Sequence, residues 1–157
     1  NILMIDVLHH LHSPVLFFEE ASKVLEVGGR IVLVEPAITR ISSFFYKYFH
    51  SEPVNMKVNA FDKNLTTTDP YDSNQALPTL LFKDLVRFEE LINDFKVIYK
   101  KEFGFLTYPL SGGFRTWTLL PSFLYPVFLK VEKYLETYLA RHVSFRMLVV
   151  LEKINVP

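Results

Sequence analysis

Two unbroken apolar runs, residues 2–5 and 31–34, flank one amphipathic stretch, and this strand–helix–strand unit constrains the fold more than any other feature. Continuous apolar runs of this length mark strands buried on both faces, as in parallel sheets covered by helices. Between them, Ser13-Pro14 supplies an N-cap and a first-turn proline. Phe17, Ala21, Val24 and Leu25 follow at helical spacing, with Glu19, Glu20, Lys23 and Glu26 opposite. Gly28-Gly29 ends the helix, because glycine adopts the left-handed conformation without a Cβ penalty. Residues 30–35 then form the second strand, closed by Pro36. A strand, helix and strand in so short a span make a crossover unit, so the chain is α/β with a parallel pair at its start.

The remainder is less regular. Residues 37–81 hold an aromatic helical patch (Phe44, Phe45, Tyr48 and Phe49) and a turn-rich segment over 66–74. Leu85, Phe88, Leu91, Ile92 and Phe95 predict a helix over 82–93, followed by a strand from Val97 towards Phe103. Residues 104–120 are rich in turn formers and aromatics. Val127, Phe128, Val131, Tyr134, Leu135, Tyr138 and Leu139 predict an amphipathic helix, with Lys130, Glu132, Lys133 and Glu136 on its polar side. A last strand is expected over 142–153.

At 157 residues, 50% of them hydrophobic, the chain suits one domain with ample core material. Seventeen basic against seventeen acidic residues give no electrostatic footprint for nucleic acid. The absence of cysteine excludes disulfides, thiolate zinc sites and cysteine nucleophiles, and fits a reducing, cytoplasmic setting. The start, Asn1-Ile2-Leu3-Met4-Ile5, has neither an initiator Met nor a signal-peptide pattern and reads as a chain entered in mid-strand.

Asp6-Val7-Leu8-His9-His10-Leu11-His12-Ser13-Pro14, followed by Val24-Leu25-Glu26-Val27-Gly28-Gly29-Arg30-Ile31-Val32-Leu33, resembles the class I S-adenosylmethionine (SAM)-dependent methyltransferases. In that family the fourth strand ends in an acidic residue followed by L-x-H, and a helix runs to a glycine pair before the fifth strand. The resemblance implies a Rossmann-like methyltransferase fold of which this chain is the C-terminal half. Its core would be residues 1–36, 82–103 and 142–153, with the last two strands as an antiparallel edge pair. Residues 37–81 and 104–141 would be substrate-side insertions. The family's glycine-rich loop and second-strand acid would lie upstream. The resemblance therefore implies a partial SAM site, inactive in isolation, and an exposed inner edge on the first strand here.

Within this frame Asp6, Val7 and Leu8 are the candidate cofactor residues, with Asp6 accepting from a ligand amine and Leu8 packing on the cofactor. His10 or His9 would serve as general base, since an imidazole titrates near neutrality; each could equally cap a helix or pack. The segment is also similar to the E-x-L-E-H of ubiquinone-pathway O-methyltransferases, where acids and a His hold a metal. His9 replaces the second acid, and no metal is expected. Glu35 would bond an acceptor hydroxyl or amine, or cap a turn. Asn74 and Gln75 would fix a polar acceptor, whereas Asp72 and Ser73 read as turn chemistry. Ser111 and Gly112 could offer amides to an anion with Arg115 behind them, or form only a turn. The uncharged stretch from Thr116 to Leu129 is too short to span a bilayer. It would lie on a membrane interface, line a greasy pocket, or simply start a packed helix.

The expected activity is methyl transfer from SAM to a small, hydrophobic or lipid-like acceptor, with no nucleic-acid partner. An inactive methyltransferase-like binding domain and another nucleotide-cofactor α/β enzyme are the alternatives. Acceptor, methylated atom and oligomeric state are not specified by these residues.

Overall fold

The computed structural model describes residues 1–65, 73–112 and 117–155. Strand β1 (Ile2–Ile5) leads through a single 3-10 turn, Leu8–His10, to helix α1 (Pro14–Val24) and strand β2 (Arg30–Pro36). Helices α2 (Arg40–Phe49), α3 (Leu77–Phe82) and α4 (Leu85–Leu91) precede strand β3 (Phe95–Phe103). The short helix α5 (Thr107–Leu110) and the long helix α6 (Tyr125–Val143) come before strand β4 (Arg146–Lys153).

The fold is α/β, with a four-stranded mixed sheet in the order β1-β2-β4-β3. β1 and β2 are parallel, and β4 runs antiparallel to both of its neighbours, β2 and β3. The start of the crossover follows the local rules: Ser13 Oγ accepts from the Leu16 N–H and Pro14 opens α1. The helix ends earlier than the glycine pair, at Val24 with Leu25 extended, and Gly28 takes φ +83° in the turn that follows.

One sheet face carries the core. Met4, Ile31, Leu33, Met147, Val149 and Leu151 point into it and meet Phe18, Leu81 and Phe88 from α1, α3 and α4. β1 is not buried on both faces as its apolar run predicts. Leu3 and Ile5 are more than half exposed, because β1 is an edge strand and the described helices cover only the Met4 side. The open edge expected for this strand is thus present.

Three further expectations change. The helix predicted over 82–93 is the shorter α4, because Asp84 caps its start by accepting from the Arg87 N–H, while Phe82 ends α3, which lies mostly in the stretch read as irregular. The last strand begins at Arg146 rather than 142, since α6 continues through Val143. The polarity of α6 is largely inverted. Val127, Val131, Tyr134 and Tyr138 face solvent, whereas Glu132 is its one fully buried residue and Glu136 pairs inward with Lys101 at 2.6 Å.

Candidate functional site

The carboxyl ends of β1 and β2 lie side by side because these strands are parallel, so residues 6–10 and Glu35 share one edge of the sheet. This is the edge at which open α/β sheets bind ligands. Glu35 is wholly buried there. Its Oε1 accepts from the N–H groups of Val7 (2.9 Å) and Leu8 (2.7 Å), and its Oε2 meets His9 Nδ1 at 2.7 Å. In the tautomer with its proton on Nδ1, His9 donates to this carboxylate. One side chain thereby fixes the whole turn after β1.

His9 is buried as well, and its other ring nitrogen, Nε2, lies 3.3 Å from Glu52 Oε2. His10 stacks at a tilt on His9 with ring centroids 4.2 Å apart, and its Nε2 stands 4.0 Å from the same Glu52 oxygen. Gln75, also buried, donates from Nε2 to Glu52 Oε2, while its Oε1 has no hydrogen-bond partner among the described residues. Glu52 in turn lines a surface groove of about 490 Å³ bordered by Tyr46, Lys47, His50 and Met56.

A second cluster adjoins this one. Asp6 takes φ +55°, a left-handed conformation that few residues other than Gly adopt and that Asp tolerates. Its carboxylate pairs with Arg146 Nη1 at 2.5 Å, and that guanidinium lies over the Tyr108 ring, 5.6 Å from the centroid. Burial works to lower the Arg146 pKa, but the hydrogen bond and charge of Asp6 outweigh it and hold the group above its ordinary value. Arg146 faces Pro36 across the β2–β4 ladder, so the last strand brings this cation to the same edge.

The expected residues divide accordingly. Asp6, His9, His10, Glu35 and Gln75 come together. Leu8 is fully buried in the core, whereas Val7 is partly exposed. Asn74 is spent on structure. Its side chain accepts from the Asn55 and Ala76 N–H groups and donates to the Asn55 carbonyl, and its own N–H donates to the His9 carbonyl. The N–H groups of Ser111 and Gly112 are used in a turn, donating to the Thr107 and Pro109 carbonyls. Arg115 and Asp72 lie outside the described residues. Sequence reasoning missed Glu52, for which no local signal exists. It also missed Arg146, the lone cation at the head of an apolar strand.

Among the described residues, two sets of side chains offer closely spaced ligand atoms: His9, His10 and Glu52, and Asp6, His9 and Glu35. In the second set Glu35 and Asp6 are already engaged by the turn and by Arg146. The first set leaves His9 Nε2 directed at Glu52 while Glu35 holds the opposite nitrogen, an arrangement common behind metal-bound imidazoles. No protein-family model and no curated protein matches the chain.

The phenols behind the site predict a pH effect. Burial pushes Tyr46, and to a lesser extent Tyr108, above the ordinary tyrosine value, and the Tyr46 OH donates to the Phe145 carbonyl. In the unfolded chain these groups ionise near pH ~10. The folded state keeps the Tyr46 proton, so stability is full below that pH. It is then lost as pH rises, by about 1.4 kcal/mol per unit for Tyr46 alone. Urea unfolding at pH 9 and pH 11 should show this fall, and Tyr46→Phe should flatten it. Equal slopes in parent and variant would exclude Tyr46 as the source.

Proposed function

We propose that the chain is the C-terminal half of a class I, Rossmann-like SAM-dependent methyltransferase domain that acts on a small, hydrophobic acceptor. The observation that carries this reading is the turn after β1. It follows an acidic residue in a strained left-handed conformation, is clamped by a buried carboxylate from the neighbouring parallel strand, and sits at the ligand edge of the sheet. The open β1 edge, with Leu3 and Ile5 exposed, supports further strands joining there and completing the cofactor site.

The residues present fit one rim of such a site. Asp6 is partly exposed beside its Arg146 pair, and Val7 offers apolar surface next to it. When bound, SAM supplies a methyl group on a positively charged sulfur, which needs little from the protein beyond alignment. His10, partly exposed and 4.0 Å from Glu52, accepts the proton that an attacking hydroxyl or amine gives up. His9 does not touch the acceptor. It and Glu35 act as positioning residues that hold the turn and the backbone of His10.

Calorimetric titration of SAM into a longer chain carrying the upstream residues, and into this chain alone, tests the reading. Saturable micromolar binding by the longer chain, lost in the shorter one and weakened at least tenfold by Asp6→Asn, is expected. A folded longer chain that does not bind SAM would overturn the assignment and favour a binding domain or another cofactor.

A further inference from the structure

The inverted polarity of α6 has a counterpart in α2. On α6, Val127, Val131, Tyr134 and Tyr138 recur at i, i+4, i+7 and i+11, which places them in one narrow stripe. All four are exposed, Tyr134 by 74% and Tyr138 by 69%. Lys130 and Arg141 lie along one flank of this stripe, with Lys133 beyond. The two acids of α6 turn away from it, Glu132 into the interior and Glu136 to Lys101. Helix α2 packs against α6 and repeats the pattern. Ile41, Phe44 and Tyr48 are exposed on one side, with Arg40 and Lys47 beside them and no acid anywhere in the helix. The segment leading into α6 adds exposed Trp117, Leu119 and Phe123.

We infer that the α2–α6 face docks on an anionic lipid surface. The chain as a whole is neutral, yet on these two helices the exposed charges are all positive and surround apolar and aromatic side chains. That is the composition of helices lying in the plane of a membrane, with aromatics at headgroup level and cations drawn to anionic lipid. A second copy of the chain is a poorer occupant, because a two-fold pairing would set one face with only positive exposed charges against another. No described helix is long and apolar enough to cross a bilayer, so the contact is peripheral. The inference does not rest on the methyltransferase reading.

Co-sedimentation of the full chain with phosphatidylcholine vesicles, with and without phosphatidylserine, tests it. Binding should need phosphatidylserine, weaken with added salt and shift the emission of the single tryptophan, Trp117, to the blue. Lys130→Gln with Arg141→Gln should weaken it about 25-fold, at about fivefold per cation. Tyr134→Ser with Tyr138→Ser should weaken it at least tenfold. Both pairs lie on the surface, so thermal unfolding should be unchanged and should certify that the variants are folded. Equal binding to neutral and anionic vesicles, no binding by the folded chain, or parent-like binding by both variants would overturn the proposal. So would a dimer abolished by the tyrosine pair in a chain that ignores vesicles, which would give the face to a second copy.

Discussion

Glu35→Ala is expected to destabilise the protein by about 3–5 kcal/mol, a large share of the stability of a domain this size. The carboxylate is buried and serves three donors, the Val7 and Leu8 N–H groups and His9 Nδ1. Alanine removes every acceptor at once and leaves an imidazole beside a vacated space, with no water-facing route for its proton. Glu35→Gln should cost less, since the amide oxygen can still serve the two backbone donors while its NH2 faces the His9 donor. Urea unfolding gives the totals. Amide exchange gives the location, because Val7 and Leu8 should lose protection in Glu35→Ala even where Leu33 and Val149 keep theirs. A loss below about 1 kcal/mol would mean that Glu35 is not what holds the turn.

Phe18→Ala should cost a similar amount, about 3–5 kcal/mol, for a different reason. Phe18 is fully buried where α1 meets α4 and β3, with its ring edge-on to Phe88 (centroids 5.4 Å apart) and 6.1 Å from Phe95. Truncation leaves a cavity between elements that already have rigid partners and cannot collapse to fill it. A double-mutant cycle with Phe88→Ala should show coupling of about 0.5–1.5 kcal/mol beyond the separate losses. Additive losses would show that the two rings only fill space and have no preferred geometry.

How far the sequence foretold this structure depended on the range of the forces involved. The crossover unit was legible because its signals are local: Ser13 and Pro14 open α1, Gly28 turns the chain back in a left-handed conformation, and the apolar run at 31–34 marks β2. What surrounds a strand is not local, so the apolar run at 2–5 did not reveal that Leu3 and Ile5 are exposed. Helix α6 failed more instructively. Its spacing fixed which residues share a stripe, but the inward stripe holds Glu132, whose Oε2 accepts from the Thr107 N–H 25 residues away. A rule that sends charge outward places Lys130 and Lys133 correctly but misplaces Glu132 and Glu136. Within the candidate site, Asp6, His9, His10 and Glu35 were legible as a group at the strand ends. Glu52 and Arg146 were not, because only the folded path carries them there.

The position of β4 bears on how the protein is made. It lies between β2 and β3, yet it is the last of the four strands to leave the ribosome. Until Arg146–Lys153 emerge, β3 has no described partner and Asp6 lacks its Arg146 pair, so the sheet cannot be completed. Closure therefore joins contacts more than a hundred residues apart, a topology associated with slow folding. Throughout that interval the nascent chain presents apolar strand edges, and a chaperone that shields them would have its main task before the final strand arrives.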